Sequence, residues 1–191
     1  MCDRPEAARC WEGDAGDQAA RVRSMVLASL LASLTAASSI VAIPIGPVPI
    51  TLQSLFVLAS GGILGPGWGA LSMCLYLLMG MAGLPVFAGG TSGIGRILGP
   101  SGGYLLGFVL SAGLVGLMTR RAGGRFPLVL ATLAGLALIY ALGSVWLSII
   151  GRIPMDRALL LGVVPFLPGD LLKAFAAAFL IGRWRARVQT A

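Results

Sequence analysis

Beyond Asp17 the chain carries only two carboxylates, Asp156 and Asp170, and Lys173 is its only lysine. Asp170 and Lys173 lie three residues apart in PFLPGDLLK, so on a helix they share one face. The surrounding sequence is apolar, and a charge in the middle of a membrane costs about 2.5–3.5 kcal/mol on insertion scales. Such groups turn toward the interior of a helix bundle and usually mark a ligand or ion path. The alternative is a pair that neutralises itself and does nothing more. Pro168 and Gly169 suit a helix start, and Asp170 in the first turn is favoured by the helix dipole.

Two further stretches offer polar chemistry. Thr51 and Gln53 sit in PVPITLQ, and the Gln53 amide provides two donors and an acceptor, suited to a urea-like group. A helix-to-helix hydrogen bond would use the same atoms. The Gly-rich run 84–103, LPVFAGGTSGIGRILGPSGG, is not a phosphate cradle, because it lacks the Lys of a Walker A loop. Its Val86, Phe87 and Ile94 favour a loop packed over a site rather than a flexible surface loop. The chain has no histidine, which removes His triads, His metal ligands and His acid–base catalysis. Cys2, Cys10 and Cys74 form neither a C-x-x-C motif nor a disulfide framework. Hydrolase and metal chemistries therefore lack parts, no nucleotide site is visible, and a small intramembrane enzyme is the weaker reading.

The elements that must position these residues are membrane spans. Hydrophobic residues make up 57% of the 191 and charged residues 11%, where soluble domains carry about 25% charged. Mean hydropathy is +0.91. Six apolar segments are expected, at about 22–43, 50–64, 68–82, 104–118, 126–150 and 165–185. The second and third are short and are separated by GPG. Residues 1–20 hold five of the seven acids and read as a disordered cytoplasmic tail, with 188–191 a short C-terminal tail and 21–187 the membrane domain. A signal-peptide reading of segment one fits poorly, because its apolar run continues past Ser39 and a polar tail precedes it.

The net charge of +7 lies at segment ends rather than on one face, which argues for a lipid bilayer and against nucleic acid. With the N-terminus inside, the cytoplasmic flanks carry Arg21, Arg23, Arg120, Arg121, Arg125, Arg183, Arg185 and Arg187. The external loops carry only Arg96, Arg152 and Arg157, so both termini are expected in the cytoplasm. Segment one also bears small residues at Ala28, Ala32 and Ala36, with Ser29, Ser33 and Ala37 beside them. That stripe suits close helix approach, inside the bundle or against a partner.

PVPITLQ, GLPVFAGG, GPSGGYLLGF and PFLPGDLLK occur in the order and spacing of the BioY family, which this chain resembles over about residues 22–185. BioY proteins are biotin-specific S components of energy-coupling-factor (ECF) transporters. The resemblance implies an all-α bundle of six transmembrane helices in a bacterial cytoplasmic membrane. It implies high-affinity biotin capture with no cofactor, working with an ECF transmembrane coupling protein and an ATPase pair. It leaves open assembly into homo-oligomers, transport without partners, and specificity for another vitamin. It places ligand contacts on Asp170 and Lys173 and the pocket's outer cover on 89–95, including Gly89 and Gly90. The coupling-protein contact falls on Ala28 and Ala32, or Ala32 and Ala36. Thr51, Gln53, Phe87, Arg96 and Tyr104 complete the expected biotin site, with Phe166 a further aromatic candidate. Either end of biotin could meet the polar residues.

Overall fold

The structure is a computed structural model that describes residues 4–43 and 48–189, with side-chain surroundings for 18–43 and 48–187. Its helices are α1 (Arg4–Ser38), α2 (Gln53–Met81), α3 (Ile94–Leu98), α4 (Gly102–Arg120), α5 (Arg125–Gly151), α6 (Met155–Gly162) and α7 (Leu167–Gln189). A two-residue ribbon joins α1 to α2, with β1 (Ala42–Ile43) antiparallel to β2 (Ile50–Thr51) and Ala42 opposite Thr51.

The apolar part of α1, together with α2, α4 and α5, is long and hydrophobic enough to cross a bilayer, and α6 and α7 form a further pair bent by 61°. α2 is not one straight rod. Gly65 has φ 81 and ψ 178, outside the helical region, and Pro66 follows it. Proline cannot donate the next helical hydrogen bond, and glycine tolerates the left-handed φ. The chain folds back here. Gln53 hydrogen-bonds Tyr76, 23 residues further on, where a straight helix would hold them about 34 Å apart. A Cβ on Gly69 would lie 2.8 Å from the Cα of Gly61. The arms 53–64 and 66–81 thus match the two short segments expected on either side of GPG.

Glycines let these arms approach backbone to backbone. A Cβ on Gly61 would sit 2.2 Å from the Ala112 carbonyl oxygen of α4, and one on Gly116 would sit 2.4 Å from Pro66 N at the hairpin tip. α2 packs against α1, α4 and α7, and α5 packs against α4, α6 and α7. The main core gathers Val57, Leu58, Met73, Tyr76, Ala112, Val115 and Leu136 among these elements.

Three differences from the sequence expectations stand out. The backbone of residues 4–20 is helical and continuous with α1, where composition alone predicts an irregular tail. Residues 1–3 of that tail, and 190–191 of the C-terminal one, lie outside the described residues. The loop after α5 contains the short amphipathic helix α6. Finally, the stripe of Ala28, Ala32 and Ala36 does not face outward. Ala28 and Ala32 are each 1% exposed, Ala36 packs on the core, and Ser72 of α2 donates a hydrogen bond of 2.7 Å to the Ala28 carbonyl. In the isolated chain the lack of bulk of Ala28 and Ala32 serves the close contact between α1 and α2. Ser29, Ser33 and Ala37 form the exposed small-residue face of the same helix.

Candidate ligand site

Asp170 lies in the first turn of α7 and, with Lys173, is buried. Its Oδ1 accepts from Lys173 Nζ at 2.6 Å and from Ser54 Oγ at 3.1 Å. Its Oδ2 accepts from Tyr140 Oη at 2.7 Å. A carboxylate has about four acceptor positions, so three donors leave one direction open. Lys173 also donates to the Thr51 carbonyl at 2.5 Å, tying α7 to the end of β2. The ammonium is thus held between a carboxylate and a backbone oxygen, the kind of pairing a buried charge requires.

Gln53 and Thr51 extend this cluster. Thr51 Oγ1 donates to Gln53 Oε1 at 2.9 Å, and Gln53 Nε2 donates to the Tyr76 hydroxyl. Tyr76 in turn packs edge-on against Phe87, with ring centroids 5.7 Å apart. Phe87 is 1% exposed, and its ring rests on Gly80, where a Cβ would come within 2.1 Å of it.

The Gly-rich segment is a packed cover. Phe87 N–H bonds to the Thr91 carbonyl at 2.9 Å, Gly89 N–H to Ser39 at 3.0 Å and Gly93 N–H to Gly80 at 2.8 Å. Gly89 and Gly90 both have φ near +70°, 72 and 70, a conformation that favours glycine. Ile94, expected to be covered, is 59% exposed. Arg96 reaches back across the loop, donating from Nε to Thr91 Oγ1 at 2.8 Å and from Nη2 to the Ala88 carbonyl at 3.3 Å. Tyr104 Oη bonds to the Gly162 carbonyl at 2.8 Å, and Trp146 Nε1 bonds to Gly99 at 3.0 Å. These bonds hold the α6–α7 junction and the end of the loop against the bundle.

Between cover and cluster lies a narrow cavity of about 70 Å³. Of the expected residues, Thr51, Gln53, Phe87, Arg96, Tyr104, Phe166 and Asp170 line it. Lys173 does not; it stands behind Asp170. Gly89 and Gly90 are exposed in the cover and also do not line it, whereas Ala88 does. Tyr140, Ser54, Ser101 and Phe108 line the wall without having been expected. Tyr140 did carry a signal, because a phenol in the middle of an apolar span needs a hydrogen-bond partner. The arrangement pairs a buried polar cluster with an aromatic middle and a guanidinium on the wall. The chemistry of this lining suits an elongated ligand with an amide-like group and an anionic group joined by apolar atoms.

The BioY family profile matches residues 14–190. The chain is 39% identical to the "Probable biotin transporter BioY" of Pyrococcus horikoshii over 163 residues, 85% of this chain and 96% of that one. It is 38% identical to the "Biotin transporter BioY" of Thermotoga maritima over 159 residues, 83% and 94% of the two chains. A solved structure described as the S component for biotin from an ECF-type ABC transporter superposes with a TM-score of 0.82 at 30% identity. It covers 87% of this chain and 92% of its own. A multi-pass membrane protein by its apolar arms, the chain belongs to the BioY family.

Proposed function

We propose that this protein binds biotin in the cavity beneath the Gly-rich cover and captures it for uptake as the substrate-specific S component of an ECF transporter. The observation that carries the reading is the shared cavity wall of Asp170 and Arg96, with Phe87, Tyr104, Phe108 and Phe166 between loop and bundle. Biotin has a ureido ring, a thioether ring, an aliphatic chain and a carboxylate. One ureido N–H matches the open acceptor direction of Asp170, and the ureido oxygen matches the second N–H of Gln53. The rings and chain match the aromatic wall, and the carboxylate matches the Arg96 guanidinium. Lys173 acts through Asp170, by holding its carboxylate in orientation. An ECF coupling protein and an ATPase pair supply the energy in this scheme.

Calorimetry on the purified chain, without ATPase subunits, tests the reading. One-to-one biotin binding is expected, with no heat from thiamine or riboflavin. Heat from either of those and none from biotin would transfer the site to a different vitamin.

A further inference from the structure

A second cavity opens at the end of the bundle opposite this site. It is about 500 Å³ and lies between the start of α5 and the last turns of α7. Its mouth carries Arg125 and Arg183, and its wall carries Leu128, Phe175, Phe179 and Gly182. The Arg183 guanidinium sits 5.8 Å from the centre of the Phe179 ring, which directs its charge over the groove. Arg185 has a different task, donating to the Thr119 and Gly62 carbonyls at 2.7 and 3.4 Å. No carboxylate lines the groove among the described residues. Phe175 and Phe179 are 51% and 57% exposed, on helix positions inside the apolar arm of α7. Gly124 precedes α5 with no side-chain cap on the helix start, so the first-turn amides add to the positive field beside Arg125.

We propose that this groove is a binding site for one anionic phospholipid. The headgroup phosphate pairs with Arg125 and Arg183, and an acyl chain lies along Leu128, Phe175 and Phe179. The charge is complementary, the walls are apolar, and the groove opens where a spanning helix leaves the hydrocarbon. A zwitterionic lipid offers the same phosphate but cancels its charge with an ammonium, for which the groove holds no acceptor carboxylate among the described residues.

Native mass spectrometry of the full chain, released from nanodiscs of equal phosphatidylglycerol and phosphatidylcholine, tests this. One retained phosphatidylglycerol per chain is expected. Arg125→Gln with Arg183→Gln should weaken its retention roughly 25-fold, taking each Arg near a membrane surface at about fivefold. Removing the same charge outside the groove, by Arg23→Gln with Arg121→Gln, should leave retention in place. Biotin calorimetry on both double variants should match the parent and so report intact folding. Millimolar inorganic phosphate should not displace the lipid. Equal retention of the two lipids, equal loss in both variants, or displacement by phosphate would overturn the proposal. Unchanged lipid retention with lost binding of a coupling protein would reassign the groove to a protein partner and overturn it as well.

Discussion

At the scale of single residues, the Asp170 cluster separates ligand contact from structural support. Lys173→Gln leaves Asp170 buried with its charge uncompensated, and breaking such a pair costs about 3–5 kcal/mol. Thermal melts in detergent should show that loss. Asp170→Asn replaces the charged acceptor proposed for the ureido group by a neutral amide, a loss of about 1.5–3 kcal/mol or roughly 10- to 150-fold in biotin affinity. Combining the two changes should restore most of the stability and none of the affinity. A folded double variant with parental affinity would refute the assignment of Asp170. Arg96 allows a different test, since it both braces the loop and faces the cavity. The parent should prefer biotin over biotin methyl ester, and Arg96→Gln should erase that preference by about tenfold or more. An equal loss for acid and ester would mean that Arg96 only holds the cover. Asp170 and Arg96 were legible because charges in an apolar chain have few places to go. The position of Lys173 behind Asp170 was not. Residues three apart share a helix face, but which of them reaches a cavity depends on the neighbouring ribbon, here the Thr51 carbonyl.

At the scale of elements, GPG at 65–67 announced the break in α2, since Gly and Pro side by side in an apolar run leave little chance of a continuous helix. α6 was not legible, because its eight residues are shorter than the windows in which helical periodicity stands out. Nor was it evident that Gly61 is the seam between α2 and α4. Gly61→Ala would press a methyl group against the Ala112 carbonyl, 2.2 Å from an ideal Cβ. A backbone atom cannot step aside as a side chain can, so overpacking should cost about 1–3 kcal/mol. Gly67, in the same helix, has nothing within 4 Å of an added Cβ. Gly67→Ala should therefore be neutral or slightly stabilising in the same melts. Equal melting of the two variants would show that α2 and α4 can separate without cost.

At the scale of the whole molecule, the directions of α1 and α7 put the start of the apolar arm of α1 and the last turns of α7 on one side of the bundle. α1 finishes beside the cover, where Gly89 bonds to Ser39, and α7 starts there with Asp170 in its first turn and runs away to Arg185, which bonds to Thr119 of α4. The cationic flanks gather at that far end, which the positive-inside tendency assigns to the cytoplasm. Reporter fusions after Arg185 should read cytoplasmic, and insertions within 152–157 should read external. The reverse pattern would invert the protein and point the ligand site inward. Partner assembly involves the same large-scale arrangement. Small residues occur on both sides of α1, so sequence could not say which stripe looks inward, and the packing of Ala28 and Ala32 on α2 answers that. Ser29 and Ser33 remain outward, with their hydroxyls satisfied by the helix's own carbonyls at 2.9 Å. In the proposed assembly they would offer a smooth surface to a coupling helix at no cost in unpaired donors. Ser33→Trp should weaken co-purification with the coupling protein and ATPase pair while leaving biotin affinity at the parental level. Ala32→Trp should instead lower the melting temperature and reduce both, because a ring cannot fit where the methyl is 1% exposed. Normal assembly of Ser33→Trp, together with loss of assembly but not of stability in Ala32→Trp, would return the partner face to the alanine stripe and require α1 to rotate when the complex forms.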